Sequence, residues 1–467
     1  MRLLFIFALL IGVFLRCYDL NNRPLHNDEG VNFHFLKEIE AKGYYPYSHE
    51  NYHGPLYFYA SNLFFNHVNE GVRDVYELRA SAVLAGILIV VLPLAFFSGW
   101  QAVGIASLIA VSSGLVFYSR YAIHETLFVL LGGLFGCSLF RYLETGKVWF
   151  GYVAAVALAL MIGTKETFII TLASISCAAL IVFGPRTIYT RLWVDRRDLF
   201  WGAVLLWLMI VVQFTGGFRW VTGLNEMILA VPQWVSRNTS DYGHFKPFDY
   251  YLNVFFSAEP VLVLALCAAC YVLAKGYLID RTQKPASVQL YTAIWTISVF
   301  LVYSFVRYKT PWLLVNISVP ALFLLGSVVT DLKPKARAWG LSALLFVSLI
   351  YTARFVFIVP FAAGNPFSYT HTSAGMVEVA DKIIEYRKSA PKAMVLIAAA
   401  QYWPMPFYLR GHEPFVHYVT SNDVKAYTDR YEIIVIDKSV DMDIPGFTHF
   451  YSRISDVQEC QIYMKKL

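Results

Sequence analysis

Apolar residues recur along the chain in runs long enough to cross a bilayer core, which takes roughly 17–25 residues each. Eleven such runs fall near 3–20, 79–98, 100–118, 126–143, 148–164, 167–184, 198–216, 257–275, 289–306, 312–330 and 338–360. Runs this long predict membrane helices rather than the amphipathic helices of a soluble core. Two long polar stretches interrupt them, 21–78 and 217–256. Beyond residue 360 the pattern changes. From Ser373 to Lys388, Val377, Val379, Ala380, Ile383 and Ile384 recur at helical spacing, whereas Ala393–Ile397 and Tyr431–Ile436 read as buried strands. The expected architecture is mainly α: a polytopic membrane helix bundle over 1–360, with a small α/β domain over 361–467.

Composition agrees with the pattern. Of 467 residues 57% are hydrophobic and 17% aromatic, and the mean hydropathy is +0.51, values outside the soluble range. The net charge of +6 comes from 38 basic and 32 acidic residues; loop asymmetry accounts for it, and no basic patch interleaved with aromatics argues for a nucleic-acid partner. If the amino terminus is cytoplasmic, the cytoplasmic loops hold Arg141 and Lys147, then Arg186, Arg191, Arg196 and Arg197, then Lys275, Arg281 and Lys284, then Lys333, Lys335 and Arg337. The opposite side receives 21–78, the turns near 119–125, 165–166 and 307–311, the loop 217–256, and everything after 361. The C-terminal domain is therefore expected to be extracytoplasmic. The apolar stretch from Leu3 to Leu15 lacks a small-x-small cleavage site and runs into Arg16-Cys17-Tyr18-Asp19, so it is expected to be a retained span whose Arg16 snorkels to the outer interface. Cys137, Cys177, Cys267 and Cys270 lie in apolar runs, and Cys17 and Cys460 are far apart; neither a disulfide framework nor a zinc spacing is present.

A charge costs roughly 2.5–3.5 kcal/mol at the centre of a span and less near its edge. Charges kept at span edges are therefore functional candidates, with an interface anchor or a structural ion pair as the plainer reading. Four outer segments qualify. Pro24-Leu25-His26-Asn27-Asp28-Glu29-Gly30 places adjacent carboxylates in the first loop, and neighbouring side chains diverge, so Asp28 and Glu29 take different jobs. Ser119-Arg120-Tyr121-Ala122-Ile123-His124-Glu125 sets a cation and an anion at a helix start. Thr164-Lys165-Glu166 puts a charge pair between two spans, and Arg307-Tyr308-Lys309-Thr310-Pro311-Trp312 leads two cations and two aromatics into another. Together they describe a cationic, aromatic-lined cavity at one membrane face. Such a cavity suits a lipid-linked phosphosugar, whose phosphate meets Arg120, Lys309 or Arg307 while its anomeric carbon lies near the loop acids.

These motifs resemble the GT-C superfamily of integral-membrane glycosyltransferases, which includes protein O-mannosyltransferases and the aminoarabinose transferase acting on lipid A. More closely, the chain is similar to a subfamily described as dolichyl-phosphate-mannose mannosyltransferase-like or flippase-activity-associated. The resemblance spans nearly the whole length. It rests on Arg16–Leu20 with His26–Gly30, on Tyr52-His53-Gly54-Pro55-Leu56, on Ser119–Ala122 with Glu125, on Thr164-Lys165-Glu166, on Lys309–Trp312, and on Tyr402–Arg410. It implies that Asp28 is the general base of an inverting transfer from a polyprenyl-phosphate sugar to a lipid, glycan or protein acceptor, while Glu29 orients the acceptor, a cation or an arginine. It implies that Arg120, Lys309 and Arg307 meet the donor phosphate, and that Tyr52, His53, Glu125, Lys165, Glu166 and Trp312 line the substrate site. No cofactor is implied with certainty: some relatives hold a divalent cation with their loop acids, for which Asp28, Glu29 and Glu50 are the candidates here. The expected setting is a bacterial or archaeal cytoplasmic membrane with the site outside. A flippase or transporter for lipid-linked sugars, and a non-catalytic scaffold, are the rival classes.

The loop 217–256, with Arg219, Trp220, Glu226, Trp234, Arg237, Tyr242, His244 and Lys246, reads as a lid or an amphipathic interfacial helix.

Overall fold

The computed structural model describes residues 1–51, 53–65, 75–237, 243–279, 286–419, 424, 428–440, 442 and 444–466. Each apolar run folds as helix, because a backbone in hydrocarbon must satisfy its own hydrogen bonds. Among the described residues eight helices are long and apolar enough to span a membrane, the first Val75–Phe96 and the last Pro334–Ile358. A ninth is made by Gly99–Val111 and Ser113–Ser119 if they count as one span, for they meet at a 63° bend. Two further expected spans are helices of 16 and 15 residues, α1 (Arg2–Cys17) and Val148–Ile162. The expected count of eleven is therefore not reached on length and apolarity. The chain is an integral membrane protein, mainly helical, with a small C-terminal sheet.

Arg16 departs from expectation. It is fully buried, and its guanidinium donates to Gly12 O at 3.1 Å, Ala110 O at 3.1 Å and Ile109 O at 3.2 Å. The bend after Val111 frees the last carbonyls of that helix, which have no partners within it; Arg16 satisfies two and Thr352 Oγ1 takes Val111 O at 2.7 Å. Arg16 turns inward because the broken helix offers acceptors that the interface cannot match.

The outer loop folds onto the bundle through two helices, α2 (Asn27–Lys42) and α3 (Leu56–Phe65), ahead of the spanning helix α4 (Val75–Val91). The loop 217–256 contains the helix Gly223–Arg237, whose Ile228, Leu229, Val231 and Val235 are exposed, the pattern of an interfacial helix. Glu226 ties it to the first loop, accepting from His49 N at 3.1 Å and contacting His49 Nδ1 at 2.5 Å. Hydrogen bonds from His49 hold the Glu226 carboxyl below its ordinary range.

After the bundle, the helix Ala374–Ser389 covers a five-stranded sheet of order β2-β1-β3-β5-β4, with β1 (Val395–Ala398), β2 (Val416–Tyr418), β3 (Ile433–Asp437), β4 (Phe447–Arg453) and β5 (Glu459–Lys465). β1 pairs parallel with β2 and β3, and β5 runs antiparallel to β3 and β4. This unit sits on α2: Tyr408 Oη accepts from Leu25 N at 2.7 Å, and a Cβ placed on Gly30 would lie 2.5 Å from Pro404 Cβ.

Candidate active site

The first turn of α2 carries both loop acids. His26 caps it: its Nδ1 accepts the Asp28 N–H at 3.1 Å, and its own N–H donates to Glu29 Oε2 at 2.9 Å, a reciprocal capping box. Successive residues on a helix diverge by about 100°, so Asp28 and Glu29 separate. Glu29 is fully buried. Arg79 binds it bidentately, Nε to Oε1 and Nη2 to Oε2, both at 2.8 Å, and Ala122 N donates to Oε1 at 2.8 Å. Burial works to raise its pKa, but the Arg79 guanidinium and these donors together hold the carboxyl down to about 2. Asp28 keeps 45% of its side chain exposed. Glu29 is thus committed to the turn and to Arg79, while the Asp28 carboxylate next to it stays partly open to solvent.

Around Asp28 stands a wall of rings. Because the His26 Nδ1 accepts a hydrogen bond, its proton rests on Nε2, which donates to Tyr369 O at 2.9 Å. The His26 ring lies 5.7 Å from both Trp312 and His371, and 5.6 Å from Tyr121. Burial, with His26 acting in the same sense, holds the His371 imidazole down to about 3, so it stays neutral. Tyr369 Oη meets His244 Nδ1 at 2.9 Å, and Lys246 Nζ lies 5.4 Å from the Tyr369 ring centroid. Burial lowers the His244 pKa, with the Asp28 carboxylate acting against it and Lys246 acting with it. The segment 244–246 is bound to 307–309 by a short antiparallel bridge, with Lys309 N donating to His244 O at 3.0 Å. Asp28, Lys246, Lys309 and Trp312 thereby share one neighbourhood.

A second cluster forms where two turns meet backbone to backbone. Gly54 N donates to Thr164 O at 3.2 Å and Leu56 N to Gly163 O at 2.8 Å. A side chain on Gly54 would overlap the Gly163 carbonyl, so glycine there permits the approach. It brings His53 Nδ1 to 3.1 Å from Glu166 Oε2, with Lys165 paired to Glu125 alongside and the His124 ring 4.8 Å from His53. Beside it Tyr47, Phe168, Phe214, Met227, Trp234 and Glu166 line a small apolar cavity of about 40 Å³, bounded on one side by Gly223–Arg237.

The remaining expected residues are placed as follows. Arg120 is buried, and its guanidinium is taken up by Leu15 O at 3.2 Å, Tyr18 O at 2.5 Å, Asp19 O at 2.6 Å and Asn22 Oδ1 at 3.2 Å. Both its Nη atoms are thereby spent on the carbonyl end of α1 and the turn after it. Lys309 spends two donors on Lys246 O at 3.1 Å and Val306 O at 2.5 Å, keeping a third. Arg307 is exposed, 4.3 Å above the Phe245 ring. Tyr52 lies outside the described residues. Asp28, Glu29 and Glu50 do not form a cation site: Glu29 is committed to Arg79, Glu50 is exposed, and no group of three His, Cys, Asp or Glu suited to a metal ion exists among the described residues. Arg79, Tyr369 and His371 were not expected. Arg79 opens the apolar run at 79, so the argument about charges at span edges applies to it; Tyr369 and His371 lie in an aperiodic stretch and give no signal of that kind.

No family model matches the chain, and no curated protein matches it. Solved structures do. ArnT from Cupriavidus metallidurans bound to undecaprenyl phosphate is 15% identical with a TM-score of 0.66, the match covering 99% of this chain and 97% of that one. The Archaeoglobus fulgidus oligosaccharyltransferase in complex with zinc and sulfate is 14% identical with a TM-score of 0.57, covering 93% and 68%. The oligosaccharyltransferase AglB from Archaeoglobus fulgidus, in complex with an inhibitory peptide and a dolichol-phosphate, is 14% identical with a TM-score of 0.54, covering 93% and 69%. The fold is shared with both.

Proposed function

We propose that this chain is an integral-membrane glycosyltransferase that moves a sugar from a polyprenyl-phosphate donor to an acceptor hydroxyl on the extracytoplasmic face. The observation that carries the reading is the division of labour in the first turn of α2. One carboxylate is buried against an arginine, and its neighbour is half-exposed among rings and cations. Asp28 takes the acceptor proton, the acceptor oxygen attacks the anomeric carbon, and the carbon–oxygen bond to phosphate breaks with inversion. The electron pair leaves on the lipid phosphate, where Lys246, Arg307 and the spare donor of Lys309 stabilise the charge. Glu29 acts as a positioning residue through Arg79 and Ala122. The His53–Glu166 and Glu125–Lys165 pairs, with the apolar cavity beside them, form the acceptor side, and Trp312 with the rings about His26 forms the sugar side. No step is routed through a cation, since among the described residues no set of ligands for one assembles. The basic loops at the opposite ends of the helices support the outward orientation, and a fold shared with a structure that holds undecaprenyl phosphate supports the donor class.

The test is turnover of a panel of radiolabelled polyprenyl-phosphate sugars by membranes containing the wild type or Asp28→Asn, with and without a chelator. Transfer or hydrolysis that falls about 10²- to 10⁴-fold in Asp28→Asn, while donor binding persists, supports the reading. Binding without turnover in any condition, with Asp28→Asn still complementing a deletion strain, overturns it.

A further inference from the structure

A second cavity, of about 190 Å³, lies at the other end of the bundle, bounded by the rings of Phe96, Phe97, Phe140, Tyr291, Trp295 and Phe323. Cys137, Arg141 and Glu144 also line it. Along the helix Glu125–Thr145, Cys137 and Arg141 lie 12 and 16 residues beyond Glu125, about 18 and 24 Å away at the helical rise. The cavity is therefore separate from the site at the outer face. Its rim is charged, with Arg141 Nη1 2.6 Å from Glu144 Oε2 and both side chains about one-third exposed or more, at 33% and 40%. Its wall holds an unmet donor. The Trp295 indole N–H is buried with no hydrogen-bond partner, and the residue is 2% exposed. Gly136 makes room for that ring, since a Cβ there would lie 2.8 Å from it. Gly136, against which the six-membered edge of that indole packs, precedes Arg141 by five residues, so the ring lies deeper along the helix than the rim cation.

An unpaired buried N–H costs about 1–3 kcal/mol, which an acceptor oxygen inside the cavity would recover. A molecule that fits has an apolar body for the rings, an acceptor a short distance below its head, and an anionic head for Arg141. A glycerophospholipid is built this way, with acyl ester carbonyls just beneath the phosphate. This end of the bundle also carries the basic loops with Lys147, Arg186 and Arg191, which favour anionic over zwitterionic lipid. We propose that this cavity holds one anionic glycerophospholipid, its phosphate at Arg141, an ester carbonyl on the Trp295 N–H and an acyl chain among the aromatic rings.

The full chain, purified in detergent, is examined by native mass spectrometry with phosphatidylglycerol, phosphatidylcholine and ether-linked phosphatidylglycerol. One phosphatidylglycerol is expected to be retained in preference to phosphatidylcholine. Arg141→Gln is expected to lower its retention about three- to tenfold, and Glu144→Gln, which releases Arg141 from its partner, to raise it. Trp295→Phe is expected to weaken the diester lipid about two- to tenfold without changing the ether-linked one, an effect that loosened packing would not produce. Equal retention of the two headgroups, indifference to Arg141→Gln, or displacement of the phospholipid by polyprenyl phosphate overturns the proposal. Each variant is compared with the wild type for thermal unfolding in lipid-free detergent, so that a folding defect is not read as lost binding. The readout is independent of turnover, and its failure leaves the glycosyltransfer reading intact.

Discussion

At the scale of single residues, Glu29 and Arg79 form a charge pair with no exposure on either side. Removing one partner strands the other, which costs on the order of 3–5 kcal/mol, whereas replacing both with apolar groups is far milder. Glu29→Gln is therefore expected to lower the unfolding midpoint in detergent strongly, and Glu29→Gln with Arg79→Met to recover much of the loss. The pH dependence follows from the same carboxyl. Its folded pKa is depressed from 4.5 to about 2, so its contribution is present above the unfolded value and is lost as pH falls from about 4.5 towards 2. Stability scans of wild type and Glu29→Gln should thus differ most near neutrality and converge in acid. A difference that does not shrink between pH 5 and 2 would show that the pair does not set the acid limb. Asp28→Asn is expected to leave the unfolding midpoint nearly unchanged, because its side chain is half in solvent.

At the scale of elements, the meeting of the turns at 54 and 163 aligns the proposed acceptor side. Gly54→Val would force the two backbones apart, and strain of this sort costs about 1–3 kcal/mol. The expected result is a modest loss of stability with a larger rise in KM for the acceptor than for the donor, measured by varying each substrate in turn. Equal rises would place His53 and Glu166 elsewhere in the reaction. Much of this was legible from sequence because the charges sit at the edges of long apolar runs and little else explains them there. The jobs of Arg16 and Arg120 were not, for a cation at a span edge looks the same whether it snorkels, meets a phosphate or satisfies carbonyls at a helix end. Those carbonyls became available only through the bend at Ser112 and the end of α1, which a count of apolar residues does not register. β4 was missed for a related reason, since Phe447–Arg453 mixes charged, polar and aromatic residues and is mostly exposed. The ring wall at Tyr369 reaches His26 across 343 residues, a distance no local pattern spans.

At the scale of the whole molecule, the C-terminal unit bears directly on the turn that holds Asp28. Tyr408 receives the Leu25 N–H three residues ahead of Asp28, and the Trp403-Pro404 segment fills the space a side chain on Gly30 would need. A unit that only capped the bundle could be loosened without changing the chemistry. One that positions the first turn of α2 could not. Tyr408→Phe removes a single buried hydrogen bond, worth about 0.5–1.5 kcal/mol, and Gly30→Ala pushes α2 off Pro404. Both are expected to lower the unfolding midpoint modestly and kcat several-fold, while donor binding changes little because neither residue touches the cationic side of the site. If kcat is unchanged while thermal stability falls, the C-terminal unit is a cap. If kcat falls at a temperature where the variants stay folded, it is part of the machinery that holds the base in place, and adding back the excised unit as a separate chain would not restore turnover unless it docks on Leu25 and Gly30.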